Sequence, residues 1–378
     1  MIYLDNAATT GKKPAAVIKA MENALKNYSA NPGRSGHSFS VNTAEAVYRV
    51  REKTADFFGA SGAEKVCFTL NCTHSINCVL KGVLRKGDHI IVSDLEHNAV
   101  MRPLKKVGVS FSKAQVSLTD DSITLSNIEK LIKPNTKMIF CTGASNVLGK
   151  LLPIKQIGAL CRKKGLLFGV DAAQTAGVVP INMREMNIDY LCIAPHKGLY
   201  APMGLGVLIC EKGIENTILE GGTGSNSIEL FQPEILPERL ESGTINVPSI
   251  LALAAGIDYV KNIGISRIYN AEMGLIKSAY FGLKNNPAVK LYTKDPTKYE
   301  YAPVLSFNVN DFPSSYVAEK LDEYGIAVRG GLHCAPTAHA KIGTLPSGTV
   351  RVSVATFNNS SEIDKFLNAI SRIAIKKV

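Results

Sequence analysis

Short, uninterrupted apolar runs alternate, over the first 250 residues or so, with longer stretches in which apolar positions recur every three or four residues. The runs Val66 to Leu70, Ile90 to Ser93, Met138 to Thr142, Leu166 to Val170 and Tyr190 to Ile193 are short, apolar and β-prone, which predicts buried strands. Between them, Val47 to Phe58, Ile128 to Lys133 and Ile154 to Lys164 carry helical spacing, and Asn42-Thr43-Ala44-Glu45 reads as a capping box for the first. Such alternation predicts an α/β chain with a mostly parallel, doubly wound sheet, in which functional groups gather at the C-terminal ends of strands. His97, Asn146 and Asp171 all lie at or just after such ends.

Beyond about residue 250 the rhythm changes. A helical run from Ile250 to Ile263 and a further helix precede strands at Val304 to Val309, Ala327 to Arg329 and Val350 to Ala355, the pattern of a smaller α+β lobe. The closing segment from Ser361 to Ile375 places Ile363, Phe366, Leu367, Ile370 and Ile373 on one helical face, which predicts packing.

Composition narrows the function classes. At 378 residues, 46% hydrophobic and 20% charged, the chain is globular and long enough for two lobes. No apolar run reaches the ~18 residues that span a bilayer, and the start of the chain lacks a basic region followed by an apolar core, so a cytoplasmic protein without membrane attachment is expected. The net charge of +11 is spread along the chain without basic runs interleaved with aromatics, which argues against nucleic acid and fits a lysine-rich surface with some attraction for acidic proteins. Most of the eight cysteines sit in apolar stretches and none forms a Cys-x-x-Cys pair, so reduced packing residues are expected and no metal site.

The chemistry concentrates after two buried strands. Lys197 follows Tyr190 to Ile193 in Ala194-Pro195-His196-Lys197-Gly198, and Asp171 ends the run Leu166 to Val170. A desolvated lysine amine can condense with an aldehyde, and a buried aspartate can keep a pyridine nitrogen protonated; together they describe a pyridoxal 5'-phosphate site.

Val170-Asp171-Ala172-Ala173-Gln174 and Pro195-His196-Lys197 resemble the aspartate and lysine boxes of class V aminotransferase-like enzymes. Tyr3-Leu4-Asp5-Asn6-Ala7-Ala8-Thr9-Thr10 and Arg329-Gly330-Gly331-Leu332-His333-Cys334 resemble cysteine desulfurases, in the group that includes selenocysteine lyases. The resemblance spans nearly the whole chain. It implies the type I fold of pyridoxal phosphate enzymes, with a large cofactor-binding domain over 15–250 and a small domain from 1–14 and 251–378 that carries the catalytic cysteine.

The same resemblance assigns roles. Cys72 and Thr73, in a loop that opens the helix continuing to Leu84, lie at the phosphate positions with His196. Thr244 corresponds to a residue reaching the phosphate of a neighbouring subunit, hence a homodimer. His97 would stack on the pyridine ring and move protons, while Asn146 and Gln174 would stand near the ring hydroxyl. Substrate carboxylate would meet Arg351, with Arg329 and Asn146 beside it. Lys197 would move the α-proton and Cys334 would take the sulfur, its thiolate favoured by nearby Arg329 and His333. One departure stands out: the hydroxyl usual three residues before the lysine is replaced by Ala194.

The implied reaction converts L-cysteine to L-alanine with a persulfide on Cys334, for a sulfur-acceptor protein in sulfur metabolism such as iron–sulfur assembly. Release of selenium from L-selenocysteine, or a class V transaminase or other amino-acid lyase in which Cys334 is incidental, remain open at the level of sequence. So does a cofactor-binding scaffold without turnover.

Overall fold

A computed structural model describes residues 1–375 apart from 34, 225, 226 and 299. The larger sheet has seven strands in the order 66–69, 206–210, 190–193, 167–171, 136–142, 89–93, 110–114. All run parallel except Gly206–Cys210, which is antiparallel to both of its neighbours. The five apolar runs become Val66–Thr69, His89–Ser93, Thr136–Thr142, Leu167–Asp171 and Tyr190–Ile193. Covered on both faces, they need no polar alternation. The edge strand Ser110–Ala114 escaped the sequence reading because its exposed positions carry Ser110 and Lys113, leaving no apolar run.

Two helix boundaries differ from the sequence expectation. The helix expected from Val47 begins at Ser38 and ends at Phe58, capped by the His37 side chain on the Ser40 N–H, so Asn42 to Glu45 lie inside it. Thr43 there is fully buried and donates to the Phe39 carbonyl instead of capping. The helix expected over Ile128 to Lys133 occupies Asp121–Glu129, with Asp120 as its cap. Pro134 disfavours helical geometry at Lys133, so the chain turns into the strand at Thr136.

A four-stranded antiparallel sheet, in the order 329–331, 349–353, 304–309, 289–291, forms the second layer. The stretch Ala327 to Arg329 does not make one strand. Ile326–Ala327 pairs in parallel with Ile2–Tyr3, whereas Arg329–Gly331 joins Thr349–Ser353. Helices Ile265–Lys284, Ser314–Glu323 and Ser360–Ile375 contribute to the core of this sheet, where Phe307 meets Phe366 edge to face at 5.8 Å. Leu4 from the N-terminal segment belongs to that core as well. The helix Val247–Ile263 does not: Ile250, Leu253, Ile257 and Val260 pack into the core of the larger sheet. Full burial of an aliphatic side chain is worth about 1.5 to 3 kcal/mol, and these four decide which layer holds the helix.

Candidate active site

Strand ends of the larger sheet converge on a cleft of ≈ 550 Å³ lined by Cys72, Thr73, His97, Asn146, Asp171, Gln174, Ala194, His196 and Lys197, among others. The topology brings this about, since the strands that these residues follow, 66–69, 89–93, 136–142, 167–171 and 190–193, all run in one direction and end on the same side of the sheet. Every predicted cofactor residue except Thr244 is therefore in one place. Thr244 is exposed, its hydroxyl 3.5 Å from Asn31 Nδ2, and it does not line this cleft.

Burial pushes the Lys197 ammonium down, against the opposing pull of Asp171 and Cys72, while Arg351 and Arg329 lower it further. A lysine so placed keeps more of its amine neutral and nucleophilic than a solvated one. Asp171 is 4% exposed, and its Oδ1 accepts from the Ala173 N–H at 2.9 Å and from Cys72 Sγ at 3.7 Å. Desolvation and the Asp171 charge push the Cys72 thiol well up, which fixes it as the donor in that contact.

The helix Cys72–Val83 starts beneath the cleft. Asn71 caps it by accepting from the His74 N–H at 2.9 Å, so Thr73 is not the cap. No hydrogen bond of the Thr73 hydroxyl occurs among the described residues. His196 Nδ1 is likewise buried without a partner, and burial with the adjacent Lys197 and Lys13 pushes its imidazole down to about 4. A helix N-terminus, a hydroxyl and an orphaned imidazole nitrogen in one cleft suit a phosphate. Ala194 presents only a methyl group to the cleft. The carbonyl of His196, just before Lys197, accepts from Lys13 Nζ at 2.9 Å and Thr10 Oγ1 at 3.0 Å.

His97 caps the helix Asn98–Val107, its Nδ1 accepting from the Ala99 N–H at 3.0 Å. A backbone N–H can only donate, so the neutral ring carries its proton on Nε2. Burial pushes its pKa down. His97 is thus a hydrogen-bond donor at Nε2, and accepting a proton at Nδ1 would break the cap.

Cys334 is exposed and follows the short strand Arg329–Gly331. His333 and Cys334 both adopt left-handed backbone, with φ of 49° and 58°, a conformation that costs roughly 1 to 2 kcal/mol per non-glycine residue. The turn holds because its main chain is tied to the larger lobe. The Cys334 carbonyl accepts from the Asn98 N–H at 2.7 Å, the His333 carbonyl from Asn146 Nδ2 at 2.7 Å, and Thr337 Oγ1 donates to the Glu96 carbonyl at 3.0 Å. His333 does not supply the positive charge expected beside the thiol. Burial, with Arg351 nearby, pushes its imidazole far below the ordinary range, and its Nε2 is engaged by the Thr349 carbonyl at 3.1 Å.

Arg351 is 1% exposed, donating from Nη1 to the Asn146 carbonyl at 3.1 Å and from Nη2 to Asp5 at 2.6 Å, with Nε unpartnered. Gln174 Nε2 donates to the Ala7 carbonyl at 3.1 Å. Sequence reasoning missed Asp5 and Glu96 as site residues. Glu96 is buried beside His97 with Oε1 on the Ser93 and Thr142 N–H groups, and burial pushes its carboxyl up to about 8. An acid between an apolar strand end and a histidine was the available signal for Glu96. Asp5 is 346 residues from its partner, and no spacing reveals that.

The aminotransferase class-V profile matches residues 2–366. A probable cysteine desulfurase from Methanothermobacter thermautotrophicus is 32% identical over 99% of this chain and 94% of its own, and one from Pyrococcus abyssi is 33% identical with the same coverage. Among solved structures, the apo cysteine desulfurase from Thermococcus onnurineus superimposes with a TM-score of 0.90 at 33% identity, over 99% of this chain and 94% of that one. A cysteine desulfurase from Escherichia coli bearing an S-sulfonic acid gives 0.86 at 28% identity, over 98% and 94%. The fold is therefore the type I α/β architecture of those enzymes.

Proposed function

The chain belongs to the cysteine desulfurases within the class-V aminotransferase family, and on that premise we propose that it converts L-cysteine to L-alanine and leaves a persulfide on Cys334. The observation that carries this reading is the exposed Cys334 on a strained turn tied by its own carbonyl to the residue after His97, beside the cleft of Lys197 and Asp171. A transaminase has no use for a thiol held there.

Pyridoxal 5'-phosphate, when bound, supplies an aldehyde for amines and an electron sink for the carbanion next to it. Asp171, with one oxygen open to the cleft, would keep the pyridine nitrogen protonated, and Thr73, His196 and the N-terminus of Cys72–Val83 would hold the phosphate. His97 would lie against the ring and offer its Nε2 proton as a donor, and Asn146 and Gln174 would serve the ring hydroxyl. Arg351 and Arg329 bind the substrate carboxylate. Lys197 Nζ takes the α-proton and returns a proton to the alanine product. Cys334 Sγ attacks the substrate sulfur; the substrate Cβ–S bond breaks, a new S–S bond forms, and L-cysteine plus the enzyme thiol become L-alanine plus the enzyme persulfide.

Thr244 is exposed and does not line its own cleft, and Ile228, Leu230 and Phe231 nearby in sequence are 95%, 99% and 87% exposed, which supports a homodimer in which Thr244 serves the partner's phosphate. The core shared by Leu4 with residues from Met273 to Ile373 supports a small domain formed by the N-terminal segment and the C-terminal part of the chain. A cytoplasmic setting fits eight cysteines that are all unpaired, and among the described residues no helix is long and apolar enough to cross a membrane. The exposed thiol suits delivery to a sulfur-acceptor protein, as iron–sulfur assembly requires. Equimolar alanine and sulfide from L-cysteine with a reductant tests the reading; turnover of L-selenocysteine alone would assign selenium release instead.

A further inference from the structure

Arg329 and Arg351 are directly opposed residues on neighbouring antiparallel strands, so both side chains rise from the same face of the sheet. Like charges so placed repel one another. Among the described residues a single carboxylate offsets them: Asp5 Oδ1 lies 2.6 Å from Arg351 Nη2, and Arg329 forms no ion pair. The Asp5 side chain is 19% exposed, so it is not sealed from solvent as Arg351 is. Arg351 Nε is buried without a partner, and both arginines are close enough to lower the Lys197 ammonium. Two guanidinium groups and one carboxylate leave one unit of positive charge where a substrate carboxylate would sit.

We propose that Asp5 is a specificity-determining residue that holds the arginine pair at a single net positive charge, so that the site takes amino acids with one carboxylate and rejects those with an acidic side chain. The inference rests on the reading of this cleft as an amino-acid site. An α-carboxylate would pair with Arg329 and the unpartnered Nε–H of Arg351, and the charges of the pair then balance. A second carboxylate would face Asp5 with no charge of the arginine pair left to meet it, and an unpaired charge in a desolvated site is strongly disfavoured. Replacing the Asp5 carboxylate by an amide keeps an acceptor for Arg351 but frees one positive charge for that second acid.

The test uses holoenzyme carrying Asp5→Asn or Asp5→Glu beside the wild type. Dissociation constants for L-alanine and L-aspartate are read from changes in the cofactor's visible absorption, a readout that needs no desulfuration. In Asp5→Asn the preference for L-alanine over L-aspartate should fall at least tenfold, while Asp5→Glu keeps the wild-type ratio. An unchanged ratio in Asp5→Asn, or an equal weakening of both ligands, overturns the proposal and leaves Asp5 as an anchor for the N-terminal segment. Should Asp5→Asn fail to fold, Arg329→Gln brings the pair to zero net charge and should weaken L-alanine about tenfold; an unchanged constant would sink the charge argument. Absent alanine release from L-cysteine with these binding results intact would count against desulfuration alone.

Discussion

Glu272 sits in the helix Ile265–Lys284 at 3% exposure, and among the described residues the one hydrogen bond of its side chain is from the Tyr200 hydroxyl at 3.5 Å. Tyr200 closes the turn that begins at Lys197, its N–H bonding the Lys197 carbonyl at 2.9 Å, so this acid buttresses the Lys197 loop. Desolvation pushes its carboxyl up to about 8. The folded chain therefore keeps a proton that the unfolded chain releases near its ordinary carboxylate range, and stability falls as pH rises through that window. Between about pH 5 and about pH 8, that one group should remove about 3 to 4 kcal/mol, taking about 1.4 kcal/mol per unit of pH. Glu272→Gln keeps the acceptor for Tyr200 and removes the titration. The assay is the difference in urea midpoint between wild type and variant over that range, in which Glu96 and the other titrating groups cancel. The variant should gain steadily on the wild type as pH rises and match it near pH 5. A difference that stays flat, or that favours the wild type at high pH, would refute the reasoning.

Other expectations follow from single contacts. Ala194→Ser places a hydroxyl in the cleft beside His196, and a bond to a charged phosphate worth about 1.5 kcal/mol or more should slow loss of cofactor on dialysis about tenfold. Arg51 binds Glu241 through two hydrogen bonds of 2.7 and 2.5 Å with both side chains 8% exposed, so Arg51→Met should cost about 3 to 5 kcal/mol in a denaturant titration by stranding the carboxylate.

Much of the fold was legible because buried parallel strands announce themselves as apolar runs, and Tyr190 to Ile193, Val304 to Val309 and Ile154 to Lys164 match the structure to the residue. The edge strand Ser110–Ala114 was not, since half-exposed pairing leaves no such run. Asn42 to Glu45 misled because capping residues also sit inside helices when tertiary packing buries them, as it does Thr43. For the site, Lys197, Asp171 and Cys334 were readable from local motifs. His333 was misjudged because its environment is built by strand Thr349–Ser353 and by burial, neither visible in His333-Cys334 as a pair. Asp5 and Glu272 were silent because their partners, Arg351 and Tyr200, are distant in sequence, and the charge state of Glu272 is set by desolvation.

The central claim is that Cys334 takes the sulfur. Alanine release from L-cysteine with a reductant, compared between the wild type and Cys334→Ala at matched cofactor occupancy, tests it most directly. The account predicts that the variant binds cofactor and substrate with unchanged absorption but releases almost no alanine. Equal alanine release from both proteins would contradict it and return the cleft to a lyase or transaminase in which Cys334 is incidental.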